Sequence, residues 1–413
     1  MQQRRSLGFL CVVPCLAACD DAAPDPSEIL PRAECAIAVV ASDYGSSSVS
    51  LLAADGRPCA SDIVHSGSRP PGLLTALSGD VVLPTSAPPA GSPSELVLID
   101  RYPNGVVTLV DPDSTKLAVQ SQYAVAPGFV GNPQDMLRLG DGTALVSRLQ
   151  KNPEPTPEAI DFDDGSDLLI IDLIDGHRVG RIDLTAAAEP GFDPTPGLMA
   201  AAGGLVWVGL SHLTTDLVSA IGPGRVAAVD ADARELVATV PLAPFTNCGQ
   251  LAASPSGVWV ACSGKFKGRV DAQVEQSGLA WIDAATREVM WSGGAVELGG
   301  APFGLSLAAL DDQRALAVSL GDIGVHSPDH LVVIDRRDGS ATPLLASTDA
   351  FEIGGILPSP EAGVVLVAVA DIYAPRIERL SLDRLARLEP ITQSSATGLP
   401  PRLLSFFRPR AAR

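Results

Sequence analysis

The residues best suited to metal chemistry are four carboxylates gathered around one glycine. Asp161, Asp163, Asp164 and Asp167 flank Gly165 in a single polar stretch. Ca²⁺ prefers roughly six to eight hard oxygen ligands on a flexible loop, and carboxylates supply such oxygens. The spacing departs from the EF-hand pattern because a glycine stands where the third ligand would be. The stretch therefore predicts either a Ca²⁺ site or a solvated acidic loop, and no other cofactor is indicated.

Histidines and nucleophile motifs provide no catalytic constellation in this chain. His326 and His330 are four positions apart, but the Ser-Pro-Asp between them is incompatible with a helix that would turn both rings toward one metal. The sequence contains no His-Glu-x-x-His zinc motif and no Gly-x-Ser-x-Gly nucleophile elbow. We therefore predict no catalytic residues, and the sequence favours a protein without enzymatic activity.

Residues 1–18 are typical of an export signal. Two arginines supply a basic start, and Leu7–Leu16 is an apolar run too short to span a bilayer. The segment ends Leu16-Ala17-Ala18-Cys19, which resembles the lipobox of bacterial lipoproteins. That resemblance implies cleavage before Cys19, lipidation of Cys19 and anchoring in the cell envelope, on the periplasmic side of the inner or outer membrane. A plain secretory signal cut nearby is the alternative.

The segments that flank the main domain are polar. Residues 19–34 are rich in proline and acids, which predicts a flexible tether between the lipid and the domain. Residues 408–413 predict a basic tail. The tether and tail leave residues 35–407 for the folded domain.

Four cysteines remain once the signal is removed and Cys19 is lipidated. They are Cys35, Cys59, Cys248 and Cys262. An even count in an exported chain favours disulfides. Cys248 and Cys262 flank one predicted hairpin and Cys35 and Cys59 bracket another, which favours these pairings among the three that four cysteines allow. Buried free thiols are the alternative.

A repeated strand organises the main domain. Five apolar runs each stop at an aspartate followed by a polar turn: Val107–Asp111, Leu168–Asp172, Val226–Asp230, Leu279–Asp283 and Leu331–Asp335. Ile377–Asp383 is a sixth, degenerate copy. A motif that recurs roughly every fifty residues is typical of propeller blades, whose strands are buried on both faces. Each aspartate can accept its own downstream backbone N–H and so end the strand in a tight turn.

The repeat predicts an all-β, seven-bladed propeller, with six or eight blades as alternatives. Three strands at the start lack an innermost partner, and the last predicted strand, Arg402–Phe407, has no blade of its own. We expect this strand to complete the first blade, which joins the chain ends and removes an open sheet edge. Trp207 and Trp259, each central in the strand before a repeat, are predicted to pack between blades.

Short motifs open several of the predicted units. Pro71-Gly72-Leu73, Pro196-Gly197-Leu198 and Pro302-Phe303-Gly304-Leu305 precede the repeats. With the strands that end at aspartate, they resemble the YVTN-type seven-bladed propeller repeats of bacterial surface and envelope proteins. The resemblance covers nearly all of residues 36–407, and it implies the fold rather than an activity because that family is functionally mixed.

The connections between second and third strands are predicted to be long in four blades, and all of them emerge on one face. They carry the candidate binding residues His212, Asp216, Lys265, Lys267, His326, Asp329 and His330. The net charge of −19 argues against nucleic acid. We predict a monomeric, non-catalytic module, attached to the membrane through its N-terminal lipid, that binds an envelope protein or glycan. A propeller enzyme, either a lactonase-like hydrolase or a quinoprotein-like oxidoreductase, is the alternative.

Overall fold

Seven four-stranded antiparallel sheets form the protein in the computed structural model, which describes residues 32–113, 118–156, 162–217, 221–264, 270–371, 373–392 and 397–408. Within these ranges there are one short helix, α1 (Val270–Glu275), and two 3-10 turns, Arg32–Glu34 and Thr185–Ala187. The predicted all-β propeller of seven blades is confirmed. The predicted signal and most of the predicted tether lie outside the described residues.

Each blade contributes one strand to the central channel and three strands that follow it outward. Blade 1 contains β1 (Cys35–Ser42), β2 (Ser47–Ala53) and β3 (Pro58–His65). Blade 2 contains β4 (Val81–Val82), β5 (Leu96–Asp100), β6 (Val106–Asp111) and β7 (Ala118–Ala124). Blade 3 contains β8 (Pro133–Arg138), β9 (Thr143–Lys151), β10 (Gly165–Asp172) and β11 (Arg178–Ile182).

The remaining blades repeat this order along the chain. Blade 4 contains β12 (Pro196–Ala202), β13 (Leu205–Leu210), β14 (Pro223–Asp230) and β15 (Glu235–Thr246). Blade 5 contains β16 (Gln250–Ala253), β17 (Gly257–Ser263), β18 (Ser277–Asp283) and β19 (Val289–Gly294). Blade 6 contains β20 (Phe303–Ala309), β21 (Arg314–Ser319), β22 (His330–Asp335) and β23 (Ser340–Ala346). Blade 7 contains β24 (Ile353–Ser359), β25 (Val364–Val369), β26 (Arg376–Ser381) and β27 (Ile391–Thr392), and β28 (Pro401–Phe406) follows.

The last strand closes the ring as the sequence predicts. β28 pairs antiparallel with β1, with Val39 opposite Leu404 and Ile37 opposite Phe406. It therefore supplies the innermost strand of blade 1, in the sheet order β28-β1-β2-β3. Joining the two chain ends in one sheet gives blade 1 the same four strands as the other blades.

The hydrophobic core lies between the blades. Seven clusters of buried side chains each join two neighbouring blades, and one of them joins blade 7 to blade 1 through residues such as Leu366 and Ile37. Trp207 packs between blades 4 and 5, and Trp259 between blades 5 and 6, as predicted. A blade alone cannot bury both of its faces, so closure of the ring completes the core.

The aspartates that end the repeated strands form the predicted turns. The carboxylates of Asp172 and Asp335 accept the backbone N–H two residues downstream at 2.7 and 3.0 Å. Asp111, Asp230 and Asp283 do the same. Hydrogen bonding from Arg337, helped by this turn, lowers the pKa of Asp335 to about 2. Such side chains end a strand by replacing the next ladder hydrogen bond with a local one.

Blade 2 departs from the predicted pattern. Pro71-Gly72-Leu73 does not open a strand, because its innermost strand begins at Val81 and ends at Val82. The chain then leaves the sheet and returns only at Leu96, so residues 83–95 form an insertion within the blade. This insertion shapes one end of the central channel.

Candidate functional site: the mouth of the central channel

The seven inner strands surround a channel, and one end of it is the candidate site. The inner strands begin at this end and the second strands return to it, so it shares a face with the connections between second and third strands. These connections are long in blades 3 to 6, as predicted, and we call this side the loop face. The mouth encloses about 390 Å³ and continues into a section of about 540 Å³. Cavities of roughly 300–1,000 Å³ are typical of small-molecule sites.

On the blade 2 side of the mouth, a cation is already neutralised. Arg101 donates from Nε to Asp80 Oδ1 at 2.9 Å, and its Nη2 donates to the same oxygen. Its Nη1 donates to Gln134 Oε1 at 3.1 Å, while Gln134 Nε2 donates to Asn132. This side therefore has little net charge and little unused hydrogen-bonding capacity.

On the blade 1 side, a second cation is not neutralised. Arg402 donates from Nε to Ser42 O at 2.8 Å and from Nη1 to Phe351 O at 3.1 Å, and its guanidinium lies 4.5 Å from the ring centre of Tyr44. Within the described part of the chain, no carboxylate pairs with it. Arginine offers five N–H donors, so three remain after these two bonds. The guanidinium is held in place while keeping its charge and a free donor edge.

The turn under Tyr44 is rigid, which fixes one rim of the mouth. Asp43 Oδ1 accepts the N–H groups of Gly45 and Ser46 at 2.9 and 2.7 Å, and Ser42 Oγ accepts that of Tyr44. The loop before blade 2 presses on this turn at Gly79, where any Cβ would lie 2.3 Å from the carbonyl oxygen of Tyr44. Only glycine fits there, so the exposed Tyr44 ring is presented on a constrained backbone.

Gln250 lies across the mouth from Arg402. It begins the inner strand of blade 5, three blades from blade 1 around the ring, and it lines both sections of the channel. Among the described residues its side-chain amide has no hydrogen-bond partner. An amide offers donors and acceptors together, so Gln250 is available to a polar ligand.

The far end of the channel is narrowed by the insertion in blade 2. Thr85 donates its hydroxyl to Asp135 in blade 3 at 2.5 Å and to the Met199 carbonyl in blade 4 at 3.2 Å. Ala87 packs against the cluster between blades 7 and 1, and Ser405 of β28 donates to the carbonyl of Pro84. The insertion thus crosses the channel from blades 7 and 1 to blades 3 and 4.

The predicted binding residues fall into three groups. His212 and Asp329 are buried, because Nδ1 of His212 donates to Pro223 O while its Nε2 accepts from Glu189 N, and Asp329 accepts the N–H groups of Gly321, Glu352 and Ile353. Burial also lowers the pKa of His212. These two side chains hold loops together, and neither lines the mouth.

The other members of that set differ in exposure. Asp216 and His326 are exposed on loops of blades 4 and 6, where the carboxylate of Asp349 raises the pKa of His326. His330 is half-buried at the start of β22. Lys265 and Lys267 lie outside the described residues. None of the described members lines the mouth.

The acidic stretch does not converge on a common point. Asp163 accepts from Thr156, Asp164 pairs with Arg181 at 2.9 Å, and Asp167 forms a buried two-bond pair with Arg148. Asp161 lies outside the described residues. No group of three metal-ligating side chains exists in the described ranges. Each of the three described carboxylates thus has its own partner, and the Ca²⁺ site stays a prediction.

The cysteines meet the two predictions differently. Cys248 and Cys262 form the predicted disulfide. Cys35 and Cys59 are buried and hydrogen-bonded to each other, but they are thiols in this structure rather than the predicted disulfide. Contact with Cys35, together with burial, raises the pKa of Cys59. The predicted proximity is right, and the bond itself is absent.

The channel residues were missed because the sequence places Arg402 among other C-terminal arginines. Arg408, the first residue of the predicted basic tail, donates to Cys35 O and pairs with Asp113. One signal was available: Arg402 is the second residue of the strand that completes blade 1, and the start of every inner strand lies at the mouth. No sequence pattern distinguishes Gln250 in the same way.

Comparisons with known proteins support the fold. No protein-family model matches the sequence, and no curated protein matches it. A protein provisionally assigned as a 6-phosphogluconolactonase from Bacteroides fragilis has a TM-score of 0.54 at 11% identity, covering 90% of this chain and 98% of its own. Hydrazine synthase of Kuenenia stuttgartiensis has a TM-score of 0.53 at 13% identity, covering 76% of this chain and 88% of its own. The WD40 domain of Toxoplasma gondii coronin has 0.50 at 12%, covering 76% and 73%.

These structural similarities identify the fold of the protein but not its activity. At such identities they show a seven-bladed β-propeller fold, which hosts many unrelated functions. Among the described residues, no helix is both long enough and apolar enough to cross a bilayer. The geometry and charge of the mouth are therefore the basis for a proposed function.

Proposed function

We propose that this chain is an exported, lipid-anchored β-propeller of the bacterial cell envelope that binds an envelope glycan at the mouth of its channel without catalysis. The observation that carries the proposal is a cavity of about 390 Å³, lined in part by Arg402 and Gln250, on the same face as the four long loops. A cavity of that size admits a few sugar units rather than a folded protein. Loops on a rigid scaffold commonly carry binding functions.

The binding step is tested with a blocked mouth. Gln250→Trp fills the opening, and Ala253→Trp places the same ring at the other end of the same strand. We expect peptidoglycan fragments released by muramidase to show saturation-transfer signals with the wild type and with Ala253→Trp, and none with Gln250→Trp. Equal signals from both variants would place binding elsewhere and overturn the proposal. Far-UV circular dichroism checks that both variants fold.

The anchor is tested separately. Cys19 follows the lipobox-like Leu16-Ala17-Ala18, so we expect radiolabelled palmitate to be incorporated into the full chain. Cys19→Ser should abolish labelling and move the protein to the soluble fraction, whereas Cys15→Ser, within the signal, should not. A mature N-terminal peptide without lipid, seen by mass spectrometry, would contradict this part.

A turnover assay distinguishes the proposed binding function from the enzyme alternative. Incubated glycan fragments should be recovered unchanged, and the purified protein should carry no stoichiometric metal or visible chromophore. Product formation or a bound metal that Gln250→Trp removes would favour a propeller enzyme.

Export also bears on Cys35 and Cys59. We propose that these adjacent thiols join when the protein reaches an oxidising compartment. Alkylation after denaturation without reductant should then modify neither cysteine in envelope-purified protein. Labelling of both would show that they stay reduced.

A further inference from the structure

We infer that the ligand of the mouth carries one anionic group, a carboxylate or phosphate, which Arg402 binds, and hydroxyl groups that reach Gln250 on the opposite wall. This inference rests on the proposed function and narrows it to an acidic saccharide. It follows from the charge of the mouth, the unused donors of Arg402 and the position of Gln250.

The charge of the mouth is opposite to that of the protein. Its lining contains two arginines, Arg101 and Arg402, against one carboxylate, Asp80. The whole chain carries a net charge of −19. A basic spot in an acidic surface favours an anion that fits inside the cavity, whereas a long polyanion is repelled by the surrounding surface. The ligand is therefore expected to be a small molecule with a single anionic group.

Arg402 is arranged to receive that group. The carbonyl groups of Ser42 and Phe351 hold Nε and Nη1, and the Tyr44 ring supports the guanidinium plane. Its remaining donors have no partner within the described residues, and a guanidinium edge matches two oxygens of a carboxylate or phosphate. Because the group is already fixed, binding loses little side-chain entropy.

Gln250 indicates what the rest of the ligand carries. Its free amide lies across the mouth from Arg402, so one ligand can reach both only if it is extended across the opening. Amide groups pair with hydroxyls both as donors and as acceptors. The exposed Tyr44 ring adds an apolar surface on which a sugar face can pack. An acidic sugar linked to a neutral one combines these features.

The test uses a disaccharide of glucuronic acid linked to glucose, and its methyl ester, as a matched pair. Isothermal titration calorimetry should show that the acid binds the full chain and that the uncharged ester binds roughly 10- to 100-fold more weakly. Arg402→Gln should weaken binding of the acid by a similar factor and leave the affinity for the ester unchanged. Arg402→Lys should give an intermediate loss because charge remains but the planar fork is lost. Arg57→Gln, an exposed arginine elsewhere in blade 1, is the control and should change neither.

The outcomes separate this inference from the proposed function. Equal affinity for acid and ester, or equal weakening of both by Arg402→Gln, overturns the anion inference while leaving glycan binding intact. An acidic tripeptide that binds more tightly than the disaccharide overturns the saccharide assignment. Binding of the acid that Gln250→Trp does not disturb overturns both proposals. A comparison of the affinities for glucose 1-phosphate and for the uronic-acid disaccharide decides whether the anionic group is a phosphate or a carboxylate. If neither compound binds, the proposed anion site is overturned.

Discussion

The two ends of the channel are built from the same seven strands but differ in how their polar groups are used. At the narrowed end, the carboxylate of Asp135 is completely buried and accepts hydrogen bonds from Thr85 N, Thr85 Oγ1, Met136 N and Met199 N. At the mouth, Arg402 and Gln250 keep donors and acceptors without partners among the described residues. One end is satisfied by the protein, and the other is available to a ligand.

The difference between the two ends comes from an insertion within one blade rather than from the inner strands. The insertion of residues 83–95 brings its own polar groups into one end and uses up what the inner strands offer. No residue of this insertion lines the mouth.

The largest effect is expected at the base of the blade 3 loop. Arg148 and Asp167 form a fully buried pair with bonds of 2.8 and 2.7 Å, and Arg148 also donates to the carbonyls of Val125 and Phe162. Asp167→Ala leaves a buried cation without its partner, so the free energy of unfolding should fall by about 3–5 kcal/mol in urea titrations. Arg148→Met with Asp167→Leu removes both charges and should recover most of that loss. If the unfolding free energy of Asp167→Ala lies within about 1 kcal/mol of the wild-type value, the buried ion pair is not needed to hold this loop.

A smaller effect, with a pH signature, is expected at the narrowed end. Burial outweighs the four hydrogen bonds and raises the pKa of Asp135 to about 6 from 3.8. The folded protein therefore holds this proton more tightly than the unfolded chain. The stabilisation is complete below pH of about 4 and is lost as the pH rises through about 6, a change of about 3 kcal/mol.

Asp135→Asn isolates that contribution. Between pH 4 and pH 7 the wild type should lose about 3 kcal/mol more of its unfolding free energy than the variant does. All other carboxylates are common to both proteins and cancel in the difference. Parallel pH curves would show that Asp135 does not titrate in this range. Its carboxyl group would then be better hydrated than its burial at the narrowed end implies.

The smallest effect is a gain at the mouth. Asp80 neutralises Arg101 in a pair whose side chains are about a quarter exposed. Asp80→Asn should lower the unfolding free energy by only about 1 kcal/mol, because such pairs are weak. It also frees a second cation, so the affinity for the uronic-acid disaccharide should rise roughly threefold while that for its ester stays constant. A loss of affinity would mean that Asp80 itself contacts the ligand. The ion pair with Asp80 would then not be the reason why Arg101 and Arg402 differ in ligand binding.

Much of the fold could be predicted from local chemistry. The aspartates after each apolar run end strands through turns that need no distant partner, so their spacing revealed the blades. The unpaired strand at the C-terminus predicted ring closure because an open edge is unfavourable. The Cys248–Cys262 disulfide could be predicted because the two cysteines flank one hairpin. By contrast, His212 and Asp329 looked like surface groups, and only the folded loops show that their polar atoms are used internally.

The sequence by itself determined a ring of β modules, since each run of apolar residues needs neighbours on both faces and the turn residues fix where each strand stops. The tertiary structure alone decided which polar side chains meet at the mouth of the channel. Arg402 is 301 positions from Arg101 in the chain, yet ring closure places both at one mouth, and only there does the presence of Asp80 beside one and not the other become visible. Charge pairing depends on distance in space, which no local pattern encodes.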